Sequence, residues 1–456
     1  MRREFLVLLL ILAACTSDVA ATSSSGAGSS VTTTSVADTE PASEAESFLG
    51  PTVIMFGDGV EIGTISDGMP LPVSAYSHLF DYVVRVLLDN EYGDLGASKQ
   101  DRASALGLAP DQPGGGLEIR LSLNSDVQEI VDDVVNRWKG TNREVFISAV
   151  VVDNSDGRVL AAAPGFSPAN GGAFDPERRL SASSLAFVYT TVAALESGIA
   201  IDSVWDGSSP QTFTSTDWEN EWTVHNAGSS KGPIPLNAAL SGSVNTVFAG
   251  VGVEVGADAV VDAAMRLGVD LTGLEDLPVP QPASGDGVAP PLESVAVGSG
   301  ELDTFDAAAM FTTLSRNGIR TEPVLIDSIT DPSGAVVYQA TVSTEVTVDP
   351  VVVETVKEPL AVVPISGTAP RANLGLDHLL GYSIPQIGKT GSDGSYTVAW
   401  YVGSIGQYTA AVAVGRLDGG PLRGIELNGE VYSRVFGGSV PAPIWAEIIT
   451  QLIENG

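Results

Sequence analysis

The 456-residue sequence holds one cysteine, Cys15, so it can build neither an intrachain disulfide framework nor a cysteine-rich zinc site. Histidine is almost as scarce. His78, His225 and His378 are scattered and leave little material for an imidazole-based metal centre. Positive charge is short as well: 22 Lys plus Arg stand against 56 Asp plus Glu, which gives 22 − 56 = −34. That balance repels polyanions, so it excludes nucleic acid as a partner and docking on anionic lipid through a polybasic patch. Only five basic residues are lysines: Lys99, Lys139, Lys231, Lys357 and Lys389. With 44% hydrophobic and 17% charged residues, the chain is nonetheless globular rather than disordered, and its length suggests about two to three domains.

Two arginines open the chain, an apolar run follows over residues 5–14, and the lone cysteine comes next. Ten residues are too few for a spanning helix, which needs about 20, and the pattern reads as a secretory signal. Leu12-Ala13-Ala14-Cys15 resembles the lipobox of bacterial lipoproteins, which implies lipid attachment at Cys15 and an extracytoplasmic, membrane-anchored protein. Residues 16–47 carry 15 Ser/Thr and no aromatic, Lys or Arg, so this segment reads as a tether that cannot fund its own folding. The expected division is a signal over 1–14, a Ser/Thr-rich tether over 15–48, a small linker region over 49–114 and a main domain over 115–456.

Along the folded part, alternation around Gly57-Asp58-Gly59 predicts a hairpin, and helical spacing of Leu79, Tyr82, Val83, Val86 and Leu87 predicts a helix over 78–90. The polar stretch up to Gly116 reads as a boundary. A strand, an Asn-Ser cap and a helix from near Val127 follow, then a hairpin over 146–165 whose first strand is almost wholly apolar and therefore central. Further helices are predicted over 185–198, 237–251, 257–267, 304–316 and 443–453, with strands over 384–389, 396–404 and 408–416. Helices clustered between an early hairpin and late strands make an α+β protein with an antiparallel sheet.

Three motifs fall in order: Ser184 at a helix start, Ser243-Val244-Asn245, and Lys389-Thr390-Gly391. Singly they are weak, since a serine at a helix start is first of all an N-cap. Together, and with flanking stretches such as AVVVDNSDGRVLAAAPG, LNAALSGSVNTVFAG, VAVGSGELDTFDAAAMFTTLSRNG and IGKTGSDGSYTVAWYVGSIGQYTAAVAVG, the chain resembles the transpeptidase domain of penicillin-binding proteins, whose fold the serine β-lactamases share. The resemblance runs from about residue 115 to 453. It implies an antiparallel sheet with helices on both sides and an all-helical lobe, preceded by a small linker domain. It also implies a cell-wall function on peptidoglycan stem peptides, no cofactor and no metal, with β-lactams as ligands and cell-wall synthesis proteins as partners.

The family pattern is S-x-x-K, S-x-N, K-T-G. Carried over, Ser184 is the nucleophile, Ser243 supports proton transfer, Asn245 orients the substrate amide and Lys389 supplies positive charge. Thr390, Gly391 and Ser392 bind substrate, and the backbone N–H groups of Ser184 and Ser392 form an oxyanion hole. One position departs. Where the pattern has lysine one turn after the serine, this chain has Phe187, and none of its five lysines can join that turn. A serine hydroxyl needs an adjacent base, and a benzyl ring cannot accept a proton. The sequence thus points to a protein that binds stem peptide with impaired or no acyl transfer. The alternatives are an active D,D-transpeptidase or carboxypeptidase acting through acyl-Ser184, and a lipid-anchored solute-binding protein.

Other signals are weaker. Gly250, Gly252 and Gly256 have the wrong spacing for a dinucleotide loop and follow a helix. Trp218, Trp222 and His225 lie in a polar loop that reads as a lid over the groove; Glu219 and Glu221 beside them lack any convergent geometry for a metal. No sequence feature ties a histidine to Ser184 as a triad.

Overall fold

A computed structural model describes residues 50–66, 68–109, 115–164, 178–214, 221–271, 291–375 and 385–455. The leader with Cys15, the tether, Trp218, Glu219 and His378 lie outside the described residues.

Around Gly57-Asp58-Gly59 the chain turns back as predicted. Strand β1 (Thr52–Met55) pairs antiparallel with β2 (Glu61–Ser66), and β3 (Met69–Pro72) adds to the far edge of β2. Helix α1 (Ser77–Asp89) buries the predicted face, with Phe80 added. The stretch read as a boundary contains a further helix, α2 (Lys99–Ala105), which has no apolar period to betray it. It is held by a capping box between Ser98 and Asp101 and by Arg102, whose guanidinium donates to the carbonyls of Leu88, Gly96 and Ala97. Strand β4 (Glu118–Leu121) runs parallel to β1, so these early strands form one six-stranded sheet with later strands described below. Helix α3 (Ser125–Lys139) starts where the Asn-Ser cap predicts, with the Asn124 side chain accepting from the Val127 N–H.

Strands β5 (Val145–Asp153) and β6 (Val159–Pro164) form the apolar hairpin. Asn154 pins its turn: its amide donates to Ser404 Oγ and the Gly406 carbonyl, and its oxygen accepts from Thr409 Oγ1. After a short strand β7 (Leu180–Ser181), a tight turn over Ser183–Leu185 runs into helix α4 (Ala186–Glu196). Four short strands, β8 (Val204–Asp206), β9 (Gln211–Phe213), β10 (Trp222–Val224) and β11 (Pro233–Pro235), pair as β8–β11 and β9–β10 within the loop.

The single helix predicted over 237–251 is two helices, α5 (Leu236–Gly242) and α6 (Asn245–Val255). Ser243 breaks them by adopting φ 57° and ψ 54°, with its N–H and that of Val244 closing back on Leu240 and Ala239. Left-handed backbone is a glycine or asparagine habit, so a serine there gave no warning. Helix α7 (Ala257–Arg266), strand β12 (Glu301–Leu302) and helix α8 (Thr304–Ser315), opened by an Asp303/Asp306 capping box, complete the helical lobe. Strands β13 (Ile326–Thr330) and β14 (Val336–Gln339) finish the early sheet, in the order β14-β13-β4-β1-β2-β3. Helix α9 (Pro350–Val362) precedes the late strands.

The main sheet is antiparallel throughout. Its strands β15 (Gln386–Ser392), β16 (Val398–Ile405) and β17 (Tyr408–Arg416) join the hairpin in the order β15-β16-β17-β5-β6. Lys389-Thr390-Gly391 was read as a strand end, yet β15 continues to Ser392. Thr390, Gly391 and Ser392 pair with Tyr401, Trp400 and Ala399, and Asp393 then caps the turn. A small hairpin, β18 (Ile425–Leu427) with β19 (Glu430–Tyr432), leads to the closing helix α10 (Pro441–Asn455).

Because side chains alternate along a strand, the two faces of this sheet serve two cores. On one, Ile147, Ala149, Val151 and Val412 meet Val131, Val134 and Trp138 of α3 and Trp445, Ile448 and Ile449 of α10. On the other, Val150, Val152, Trp400 and Val402 meet the helical lobe through residues such as Phe187, Tyr189, Phe248 and Phe311. The architecture is the α+β arrangement expected, with an antiparallel sheet covered by helices on both sides. No helix among the described residues is long and apolar enough to cross a membrane.

Candidate active site

Ser184 sits in the turn that opens α4, and that turn is tightly clamped. Ser183 before it adopts φ 49°, its N–H reaches the Gly298 carbonyl and Ser181 Oγ, and Ser181 Oγ donates to Gly298 O at 3.1 Å. The approach is close enough that a β-carbon on Gly298 would lie 2.1 Å from the Ser183 carbonyl oxygen, so only glycine fits. Trp400 Nε1 donates to Ser181 O at 3.0 Å from the sheet side. The helix start has no side-chain cap hydrogen bond, so Ser184 is not spent as an N-cap, and it remains partly exposed.

One turn into the helix, Phe187 is fully buried. Its ring lies flat on Phe248 of α6, with centroids 4.0 Å apart and planes 6° from parallel. Lys389 Nζ stands 5.1 Å from the centroid of the Phe187 ring. That ammonium group hydrogen-bonds Ser243 Oγ at 2.8 Å and the Thr390 carbonyl at 2.9 Å; among the described residues none of its hydrogen bonds goes to Ser184. Lys389 is 0% exposed and has no carboxylate partner among the described residues, so burial pushes its pKa from the ordinary 10.5 down to about 7. The resemblance implies a positive charge at Lys389, and burial without a counter-charge disfavours that charged form.

Asn245, the first residue of α6, donates from its side-chain amide to the His225 carbonyl at 2.8 Å, which ties the 205–235 loop to the site. Asn226 reinforces this by accepting from Thr246 N–H and Oγ and donating to Gly207 O. On β15, Thr390 Oγ1 and Thr368 Oγ1 lie 2.6 Å apart, Gly391 is packed against Trp400 and Leu185, and Ser392 Oγ accepts from the Gly437 N–H. The structure therefore brings Lys389 to Ser243, and β15 to the Ser183–Leu185 turn, around one groove edge.

Three contributors escaped sequence reasoning. Phe248 lies three residues after Asn245 in an apolar run of α6, where nothing distinguishes it from core. Thr368 precedes no motif. Gly298 sits in a stretch noted only for its resemblance, and its tight contact with Ser183 has no local signature. No group of three or more metal-ligating side chains occurs among the described residues.

Comparison with known proteins agrees with this geometry. The family described as "Penicillin binding protein transpeptidase domain" matches residues 147–422. Penicillin-binding protein 1B of Vibrio cholerae is 24% identical over 332 residues, covering 71% of this chain and 40% of that protein. Penicillin-binding protein 1B of Escherichia coli is 25% identical over 305 residues, 65% of this chain and 33% of the relative. The chain thus spans about a third to two-fifths of the length of these relatives. Among solved structures, the D,D-transpeptidase domain of a peptidoglycan glycosyltransferase from Eggerthella lenta superposes with a TM-score of 0.61 at 20% identity, over 89% of this chain and 99% of that one. An imipenem acyl-enzyme complex of penicillin-binding protein A from Mycobacterium tuberculosis gives 0.62 at 19% identity, over 89% and 99%. With its ordered motifs gathered on one sheet edge and the family match spanning most of the fold, this chain belongs to the penicillin-binding protein transpeptidase-domain family.

Proposed function

We propose that the chain binds peptidoglycan stem peptide, and β-lactams that imitate its end, in the groove between Ser184, Ser243-Asn245 and the Lys389–Ser392 strand, with acyl transfer to Ser184 impaired. Lipid at Cys15 would hold it on the outer face of the bacterial membrane. The carrying observation is the Phe187–Phe248 stack one turn after Ser184: that position is occupied by a fully buried ring, and the buried amine of Lys389 is bonded to Ser243. Thr390, Gly391 and Ser392 lie in strand conformation on β15, which supports pairing with an extended peptide. Loss of a general base removes roughly 10²–10⁴-fold in rate.

One observation favours the second reading, an active D,D-transpeptidase. Lys389, with its pKa near 7, is partly neutral at physiological pH and could take a proton through Ser243. A fluorescent penicillin separates the two. Impaired transfer predicts little or no covalent label on the purified, folded protein after an hour, while unlabelled penicillin still raises its melting temperature. Labelling within minutes, abolished by Ser184→Ala, would overturn the proposal in favour of the enzyme.

A further inference from the structure

Beside the end of β15 the structure gathers a positive charge for which the groove chemistry has no use. The guanidinium of Arg423 lies 4.7 Å from the centroid of the Tyr396 ring and that of Arg434 lies 5.0 Å from it. Arg434 Nη1 also donates to the Tyr396 hydroxyl at 3.1 Å. Phe436 meets the same ring edge-on at 5.6 Å. Both arginines are exposed.

Tyr396 is held there at a cost. It adopts φ 62°, a conformation that bulky residues avoid, and is fixed by its N–H to Asp393 O and by the Leu422 N–H to its own carbonyl. The arginine-bearing segment is in turn fixed to the groove. The Gly437 N–H donates to Ser392 Oγ, and a β-carbon on Gly437 would lie 2.9 Å from Thr390 Cβ and 3.1 Å from Gly391 O. The ring and its two cations therefore flank Thr390–Ser392.

What sets the pair apart is that two guanidinium groups share one ring with no carboxylate paired to either among the described residues. Arg158, Arg179, Arg266 and Arg416 all sit in ion pairs. Arg423 and Arg434 form none among the described residues. Three carboxylates along the same segments are otherwise engaged: Asp393 accepts from Thr397 and Val398, Asp418 pairs with Arg416, and Glu430 accepts from the Tyr432 hydroxyl; Glu426, between the two arginines in sequence, forms an ion pair with neither among the described residues. Two like charges drawn to one ring repel each other, and a carboxylate between them would relieve that repulsion while using the planar, two-pronged donor geometry of guanidinium.

We propose that Arg423 and Arg434, arrayed on Tyr396, bind a carboxylate carried by the peptide in the groove, at a position away from its reacting end. This rests on the groove reading above. In a protein of charge −34, such a local patch also lowers the repulsion that an acidic peptide meets on approach.

The test is fluorescence anisotropy at low salt with a labelled peptide ending in D-Ala-D-Ala and bearing one internal carboxylate, against the same peptide amidated at that position. The full chain should prefer the carboxylated peptide by about fivefold, the range of one or two exposed ion pairs. Arg423→Gln/Arg434→Gln should bind both peptides alike, at the affinity of the amidated one. The doubly substituted Arg423→Lys/Arg434→Lys chain should keep part of the preference, which separates charge recognition from damage to the loop. Equal binding of the two peptides by the unaltered chain, or a preference that survives Arg→Gln, overturns this inference and leaves the groove reading standing. Binding of neither peptide overturns both. Displacement by millimolar inorganic phosphate, with the two peptides bound equally, reassigns the arginines to a phosphate and overturns the carboxylate assignment.

Discussion

The buried amine of Lys389 gives the sharpest test of the site, through Lys389→Met. In the unfolded chain this lysine holds its proton up to its ordinary pKa of 10.5, whereas in the fold it releases it near 7. Between those values the unfolded state binds more protons, so stability rises with pH across the window and is flat below it. Each unit of separation is worth about 1.4 kcal/mol, so the full window amounts to about 5 kcal/mol. Methionine has a similar shape and no proton to lose. Urea unfolding of both proteins from pH 6 to 9.5 should therefore show the stability of the lysine protein rising against that of Lys389→Met by about 3 kcal/mol above pH 7. Subtracting the two curves cancels every other titrating group. At pH 6 the variant should be the more stable protein, because it never buries a charge. A difference that stays constant from pH 6 to 9.5 would show that Lys389 remains an ammonium in the fold, and the idea of an amine poised between states would fall.

Three further outcomes follow from packing and charge elsewhere. Phe187→Ala should lose about 3–5 kcal/mol in chemical denaturation, because it empties a fully buried site and strands the Phe248 face. Burial raises the Asp132 pKa to about 6, so its contribution is present below the unfolded value and lost as pH rises through 6; Asp132→Asn, which still accepts from Gln128, should stabilise the protein by about 1–2 kcal/mol at pH 7.5 and by nothing at pH 4. Asn154→Ala should cost about 2–4 kcal/mol, since Thr409 and Ser404 lose buried partners, and the loss will appear as a lower urea midpoint with an unchanged slope.

Much of the fold was legible because its elements obey simple periods. The β5 run, the α1 face and the β16–β17 pair around Gly406 were placed to within a few residues, and the order of the motifs carried the family. The misses share a cause: they depend on contacts between distant segments. Helix α2 has no apolar stripe and is held by Arg102 reaching the Leu88 carbonyl at the end of α1 and the Gly96 and Ala97 carbonyls just before α2. The break at Ser243 comes from a serine in left-handed backbone. In the site, the lysine count drew attention to Phe187, but sequence could not say that this ring would be stacked on Phe248, or that Lys389 would be dry and turned to Ser243. Such features arise only when α4, α6 and β15 are packed together.

The paired rings of α4 and α6 also set how this site can change over generations. Placing a lysine at 187 alone would aim a cation at the flat face of Phe248 and crowd a second amine against Lys389, while trimming Phe248 alone would leave a hole under the first ring. Each single step costs packing that the double change would spare, so positions 187 and 248 should tend to vary together among related chains: two aromatics, or a lysine facing a smaller polar neighbour. A search for gain of acyl transfer by mutagenesis is then best made over both codons at once, since each change alone unpacks the ring of the other.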